Sequence, residues 1–175
     1  MKITRSTPGH EIILANYYQT NETHLKKWSP RMPRARHSVA SWSLRLIERE
    51  KDFLENSSVH FIGVNDSETQ VIGTCSISNI VRGVFQSCHM GYSVDKGFEG
   101  QGRMQELAEY TIEYVFSEIK LHRVIANHMP QNKRSEALLK RLGFEREGYA
   151  KRFLQIDGEW EDHVLNSLIN KNYTG

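Results

Sequence analysis

A glycine-rich run between a predicted strand and a predicted amphipathic helix constrains the fold more than any other stretch of this chain. The segment before it, residues 87–94, is short and contains aromatic and β-branched side chains, which is typical of a buried strand. After it, apolar residues recur at the spacing of one helical face over residues 104–119. A strand, a glycine loop and a helix start together predict an anion cradle, in which free backbone N–H groups bind a phosphate. The run itself is Gly97-Phe98-Glu99-Gly100-Gln101-Gly102.

The glycine spacing differs from that of the two common phosphate-binding motifs. No Gly-Lys-Ser/Thr sequence follows the run, as a Walker loop requires. The spacing of a dinucleotide-binding fold is missing as well, and so is an acid at the distance that would bind a ribose. A plain strand-to-helix turn without a ligand is therefore the competing interpretation, and a second motif is needed to decide between the two.

Length and composition predict one globular domain over residues 1–175. The formal net charge of +2 is too small to indicate a dedicated nucleic-acid-binding protein. The histidines and cysteines form no metal-ligand spacing, so we expect no metal, and Cys75 and Cys88 are expected as core residues of a reducing compartment. With no apolar run of membrane length and no signal-peptide pattern in the first residues, we expect a cytoplasmic protein.

The pattern of apolar and turn residues predicts a mixed α/β fold around one sheet. Two prolines within residues 28–34 indicate an ordered loop there rather than a helix. Asp157-Gly158 marks a hairpin within the segment 147–168, and Gly143 is suited to end a helix. We expect the other strands at residues 2–5, 60–64, 71–80, 87–94 and 119–126, and helices at residues 12–18, 39–53, 104–119 and 132–142.

A second motif further along the chain consists of Asn132-Lys133-Arg134-Ser135 and, after a helical stretch, Leu142-Gly143-Phe144. A glycine loop followed by Asn-x-x-Ser and Leu-Gly-Phe resembles the GNAT acetyltransferases, which take an acetyl group from acetyl-CoA. The match is closer to the ribosomal-protein-alanine N-acetyltransferases of the RimJ and RimL type, and closest to the RimJ type. Four segments carry it: Ser-Asn-Ile-Val-Arg-Gly at 78–83, Gly-Tyr-Ser at 91–93, Met-Pro-Gln-Asn-Lys-Arg-Ser at 129–135 and Ile-Asp-Gly-Glu-Trp-Glu-Asp-His at 156–163.

The resemblance implies a GNAT fold, in which a twisted, mostly antiparallel sheet splays open beside Val94 and carries helices on both faces. It also implies acetyl transfer to the N-terminal α-amine of a protein, with alanine at the start of a small-subunit ribosomal protein as the acceptor. Two alternatives stay open. A small amine, a polyamine or an antibiotic would use the same acetyl-CoA site, and carboxylates lining the acceptor cleft would favour a polycation. A non-catalytic CoA-binding factor would dock on ribosomal precursors without turnover.

The resemblance further implies which residues contact acetyl-CoA, in three groups. Backbone N–H groups of the glycine loop and the helix start would hold the pyrophosphate, and strand residues would pair with the pantetheine amides like an extra strand. The second motif would hold the cofactor arm and lie near its phosphates. Asn132 has a competing role, because Asn at such a position also caps a helix. In the order of these groups, the residues are Gly100, Gly102, Arg103 and Met104; Tyr92 and Val94; and Asn132, Lys133 and Arg134.

Two residues are candidates for proton transfer. Many GNAT enzymes carry a tyrosine acid where this chain has Leu139, and in the RimL and RimJ type Ser135 corresponds to the serine that looks like its substitute. Many also carry a strand glutamate where His89 stands, so His89 is expected to accept the proton directly or through water. The competing interpretations are a surface serine and a structural histidine. Because a free α-amine has a pKa of about 8, such an acceptor requires little from a base.

Basic residues are concentrated in the segment 31–37, which carries Arg31, Arg34, Arg36 and His37. Such a run is either a solvated loop or a surface for an acidic partner or RNA close to the substrate. The second interpretation predicts docking on a ribosome or pre-ribosome through this loop, and no contact with a membrane.

Overall fold

The computed structural model of the chain describes residues 1–31 and 33–174, with the backbone alone at residue 34. Its strands are β1 (Lys2–Arg5), β2 (Val59–Val64), β3 (Val71–Val81), β4 (Ser87–Val94), β5 (Arg123–Ile125), β6 (Glu145–Ile156) and β7 (Glu159–Ile169). They form one seven-stranded sheet in the order β1-β2-β3-β4-β5-β7-β6. All neighbouring pairs are antiparallel except β4 and β5, which are parallel. The predicted α/β fold with a mostly antiparallel sheet is therefore confirmed.

Five α-helices accompany the sheet in the described part of the chain. A π-helical turn, Val115–Ile119, continues the fourth of them, and 3-10 turns span Arg34–His37 and Lys96–Phe98. The helices are α1 (Glu11–Thr20), α2 (Glu22–Lys26), α3 (Val39–Leu54), α4 (Arg103–Tyr114) and α5 (Lys133–Arg141).

The helices cover both faces of the sheet because strand side chains alternate between them. On β2, Phe61 belongs to a buried cluster that includes Leu107 of α4. The next residue, Ile62, belongs to a second cluster with Leu14 of α1 and Trp42 of α3. We call the two sides of the sheet the α4 face and the α1/α3 face.

The sheet opens in its middle, between β4 and β5. These strands pair only through Ser87 with Arg123, Cys88 with Val124 and His89 with Ile125. Residues 90–94 stay paired with β3 on one edge, while among the described residues no strand adjoins the other edge. The sheet thus splays alongside the segment that ends at Val94, as expected, and the opening begins directly after His89.

Two elements differ from the prediction. The strand expected over 119–126 is limited to β5, because the chain stays helical to Ile119 and Lys120 then adopts a left-handed φ of 58°. Leu121 is fully buried although it lies outside any strand. Its burial explains why the apolar residues before β5 resemble part of a strand in the sequence. The short helix α2 was not predicted, since its 5 residues are too few to show a period.

Cys75 and Cys88 lie in β3 and β4 as buried free thiols. Burial raises the pKa of each to about 12, so both are protonated at neutral pH and serve as small core side chains. The described residues include no helix long and apolar enough to cross a membrane.

Candidate active site

The glycine loop is held in place by Asn21 and Asp95, which the sequence did not single out. Asp95 Oδ1 accepts the N–H of Gly97 at 2.8 Å, and Asn21 Oδ1 accepts the N–H of Lys96 at 3.0 Å. Asn21 Nδ2 in turn donates to Asp95 Oδ2 at 2.8 Å. Because Asn21 is buried between α1 and α2, these bonds fix the start of the loop to the helical layer.

The end of the loop has the geometry of an anion cradle. Gly102 precedes α4 with a φ of +75°, and a Cβ built on it would meet no protein atom within 4 Å. The N–H of Glu106 is the first that bonds back to Gly102 O, at 3.1 Å. The N–H groups of residues 103–105 therefore have no partner inside the helix, and the positive end of the helix dipole lies with them.

Lys133 and Arg134, the cations expected near the phosphates, each contact a carboxylate, and so does the side chain of Arg103, which was expected to contribute its backbone N–H. Arg103 Nη1 lies 3.3 Å from Glu106 and Lys133 Nζ lies 2.9 Å from Glu136. Arg134 forms an ion pair with Glu99 of the glycine loop. The pair between Arg134 and Glu99 joins the two sequence motifs in space, so a bound phosphate at this position competes with Glu99 for the guanidinium.

Ser135 contacts the side chain of Tyr92 across the sheet opening. The Tyr92 hydroxyl lies 2.6 Å from Ser135 Oγ, and Ser135 is buried in the first turn of α5. Burial raises the pKa of Tyr92 to about 12, with the hydrogen bond to Ser135 acting in the opposite direction. Tyr92 thus keeps its proton at neutral pH and is placed to donate it to Ser135 Oγ, which leaves the proton of Ser135 free for another acceptor.

Asn132 is the N-cap of α5, the role that was considered as an alternative to binding the cofactor. Its Oδ1 accepts the N–H of Ser135 at 3.1 Å. The cap uses the carbonyl oxygen and leaves the side-chain amide of Asn132 available to a ligand, so the two roles are compatible. The same bond fixes the backbone of Ser135 without involving its hydroxyl.

His89 lies on the opposite side of the sheet from Tyr92. The two residues are three apart on β4, so His89 faces α1 and α3 while Tyr92 faces α4. His89 Nδ1 is buried and has no hydrogen-bond partner among the described residues. Burial lowers the pKa of His89, so its imidazole is neutral at pH 7 and able to accept a proton.

Polar side chains continue on this α1/α3 face across the neighbouring strands. The Ser93 hydroxyl of β4 lies 2.8 Å from the Tyr17 hydroxyl, and Ser76 Oγ of β3 lies 2.8 Å from His60 Nδ1. Ser76 is the register partner of Gly91, which is exposed and has open space around its missing Cβ. The α1/α3 face beside the sheet opening is therefore polar and has room for a ligand.

His60 should make the folded state sensitive to acid. Burial, with the Arg49 charge adding to it, lowers the pKa of His60 to about 3 from its ordinary value near 6.5. Between these two values, the unfolded chain binds a proton at His60 and the folded chain does not. The folded state is therefore not destabilised by His60 above about pH 6.5, and its unfolding free energy decreases as the pH falls towards 3.

We expect wild type to lose about 2–3 kcal/mol more unfolding free energy than His60→Gln between pH 7 and pH 4.5. Urea unfolding at both pH values measures this difference. Identical pH slopes for the two proteins would show that His60 titrates alike in both states.

The predicted docking segment 31–37 lies only in part within the described residues, since residue 32 and the side chain of Arg34 fall outside them. The His37 ring stacks on Tyr18 with 5.4 Å between centroids, and Arg31 lies near the β6–β7 turn, 3.9 Å from a Cβ built on Gly158. Docking on a ribosome through this segment stays a prediction.

The loop, the sheet opening and the Asn-x-x-Ser helix together have the geometry expected of an acyl-transfer site for a phosphate-bearing carrier. The chain belongs to the acetyltransferase (GNAT) domain family, which matches residues 6–145. It is an N-acetyltransferase, and enzymes of this family use acetyl-CoA.

Relatives of stated activity resemble the chain along most of its length. It is 42% identical over 162 residues, 92% of this chain and 83% of the other, to the [ribosomal protein uS5]-alanine N-acetyltransferase of Escherichia coli K12. The structure of the ribosomal-protein-S5-alanine acetyltransferase of Vibrio fischeri superposes with a TM-score of 0.95 at 36% identity, covering 99% of this chain and 94% of that one. Mycobacterium smegmatis RimJ in complex with CoA-disulfide gives a TM-score of 0.89 at 26% identity, covering 99% and 83%.

Proposed function

We propose that this protein transfers the acetyl group of acetyl-CoA to the N-terminal α-amine of a ribosomal protein that begins with alanine. The observation that carries the proposal is the similarity to the S5-alanine acetyltransferases of E. coli and V. fischeri over nearly the whole chain. We further propose that residues 1–175 act as one catalytic domain, and that the enzyme works in the cytoplasm, where acetyl-CoA and new ribosomal proteins meet.

The cofactor residues have distinct roles in this proposal. The N–H groups at the start of α4, opened by Gly100 and Gly102, bind the pyrophosphate, with Arg103 and Met104 supplying two of them. The free edge of β4 from Tyr92 to Val94 pairs with the pantetheine amides. The side-chain amide of Asn132 holds the cofactor arm. Lys133 and Arg134 leave their carboxylate partners, Glu136 and Glu99, and bind the phosphates instead.

The proton transfers are divided between the two faces of β4. A new C–N bond forms as the thioester C–S bond breaks, so the amine must lose a proton and the departing sulfur must gain one. Ser135 on the α4 face donates to the sulfur and is supplied by Tyr92. On the α1/α3 face, His89 accepts the proton of the amine, directly or through water. With the acid and the base on opposite faces, one group takes the amine proton while the other protonates the departing thiolate.

The charges on the α1/α3 face oppose the polyamine alternative. A polycation acceptor would favour carboxylates around its cleft, whereas α3 places Arg45 and Arg49 on this face. Peptide N-termini, which carry a single amine and several carbonyl acceptors, fit these donors better.

A thiol-release assay with acetyl-CoA tests the proposal directly. We expect turnover with an alanine-initiated peptide from the start of ribosomal protein uS5, and none with the same peptide blocked at its α-amine. Spermidine serves as the competing acceptor, at equal concentration. Turnover with spermidine alone would move the protein to the small-amine branch of the family.

A further inference from the structure

Arg49 of α3 is a half-buried cation, and no carboxylate lies within 4 Å of its guanidinium among the described residues. Its Nη1 donates to Ser6 Oγ at 3.1 Å, and its Cζ lies 5.0 Å from the centre of the Trp42 ring. Burial lowers the pKa of Arg49, while the Tyr18 hydroxyl acts in the opposite direction. A desolvated guanidinium without a counter-ion costs free energy, and a ligand carboxylate would offset that cost.

Arg49 belongs to a group of stacked side chains that we call the Trp42 cluster. Tyr18 stacks on Trp42 with 5.0 Å between ring centroids and on His37 with 5.4 Å. Arg45 Cζ also lies 4.8 Å from the Trp42 ring, so both guanidiniums flank one indole. The cluster consists of Tyr18, His37, Trp42, Arg45 and Arg49.

The Trp42 cluster contains buried polar atoms that have no partner in the described part of the chain. Trp42 is 1% exposed, and its Nε1, which can only donate, has no partner among the described residues. His37 Nδ1 is likewise buried without a partner in that part of the chain. Arg45 and Arg49 are four residues apart on one helix, where like charges repel each other. A ligand carboxylate would supply an acceptor for the Trp42 donor and a negative charge for Arg49.

Carboxylates of the protein lie around the cluster rather than at Arg49. Burial lowers the pKa of His37, and the Glu22 charge partly opposes this effect. Burial likewise lowers the pKa of Arg45, and the Glu48 charge partly opposes it. Glu50, the neighbour of Arg49 in sequence, points instead to Arg5, with an oxygen 2.6 Å from Arg5 Nη1. The guanidinium of Arg49 therefore remains the cation that a ligand carboxylate would meet.

The cluster lies within reach of the proposed acceptor position. Besides burial, the charge of Arg49 contributes to the lowered pKa of His60 on β2. The His60 ring forms a hydrogen bond with Ser76 of β3, and Ser76 is paired with Gly91 of β4. Strands lie about 4.8 Å apart, so β2 is roughly 10 Å from the opening beside β4. A peptide advances about 3.4 Å per residue, which places the third residue of an acceptor roughly 7 Å from its α-amine, and its side chain reaches further.

We propose that the Trp42 cluster is an acceptor subsite in which Arg49 binds an acidic side chain at the third residue of the acceptor protein. The inference rests on the proposed function, because it assumes a peptide amine in the sheet opening.

Alanine-initiated peptides that differ only at the third residue test the inference. We expect kcat/KM for the peptide with Asp at this position to exceed that for the Asn peptide about tenfold, mostly through KM. Arg49→Gln should abolish this ratio, and Arg49→Lys should restore part of it. Lys51→Gln removes the same charge from the exposed side of α3 and should leave the ratio unchanged. A purely structural role of Arg49 would lower activity with both peptides alike.

The outcomes separate the inference from the proposed function. Equal kcat/KM values for the Asp and Asn peptides in wild type would overturn the subsite while leaving α-amine acetylation in place. An equal increase in kcat/KM for a peptide with Asp at the eighth residue would also overturn it, since long-range electrostatic attraction would then explain the preference. No turnover with any alanine peptide would overturn the proposed function and the subsite with it.

Discussion

We expect Ser135→Ala to lower kcat about 100-fold and to leave the affinity for acetyl-CoA within about twofold, the pattern of a lost proton donor. The hydroxyl is the only group removed, and Asn132 continues to cap α5 because the cap bonds the backbone N–H of residue 135. Stopped-flow turnover and calorimetric binding of acetyl-CoA measure the two quantities separately. Equal losses in turnover and affinity would make Ser135 a binding residue.

Tyr92→Phe tests whether the Tyr92 hydroxyl and Ser135 act together in catalysis. It removes the 2.6 Å contact with Ser135 Oγ while the ring remains in its place on the α4 face. We expect a smaller loss of kcat, about tenfold, and little further loss when both changes are combined, because the two hydroxyls act as one unit. Fully multiplicative losses would show that Tyr92 and Ser135 act independently. Ser117→Ala, in the exposed π-helical turn, is the control for removing a serine hydroxyl elsewhere.

The elements with strong local signals were predictable from the sequence. The hairpin of β6 and β7 turns at Asp157-Gly158, where both residues have positive φ, and the helix after the glycine loop begins at Arg103. The opening of the sheet was expected from family resemblance rather than from periodicity. Its extent depends on how far β5 pairs with β4, and three residue pairs leave no recognisable pattern in a sequence.

Long-range side-chain contacts of the site were not predictable in the same way. Tyr92 was expected to contribute its backbone, and the structure adds a hydroxyl contact with a residue 43 positions away. Asn21 and Asp95 are separated by 74 residues and belong to no motif, yet together they hold the glycine loop. Such contacts depend on which face each side chain occupies once the sheet has formed.

The structure brings the second motif into contact with the glycine loop. Arg134 was expected near the phosphates, and its ion pair with Glu99 brings the Asn-x-x-Ser helix against the glycine loop. Which role each of these residues has during catalysis remains a prediction, and substitution at the loop is the most direct way to test it.

Gly102→Val should weaken binding of acetyl-CoA, with an increase in Kd on the order of 100-fold or about 2.7 kcal/mol. The valine side chain would occupy the space at the start of α4, where no protein atom lies within 4 Å of a Cβ at this position. Its φ of +75° also strains any branched residue, so stability falls as well, and a control must carry the same strain.

Gly83→Val is that control. Gly83 has a φ of +69°, equally open surroundings and a place between β3 and β4, away from the glycine loop. Both variants should lose a similar amount of unfolding free energy in urea, about 1–2 kcal/mol, because both force a branched residue into the left-handed region. Only Gly102→Val should lose acetyl-CoA binding by calorimetry. Unchanged affinity in Gly102→Val would remove the loop from the cofactor site, and an equal loss of affinity in Gly83→Val would attribute the effect to backbone strain instead of to the pyrophosphate cradle.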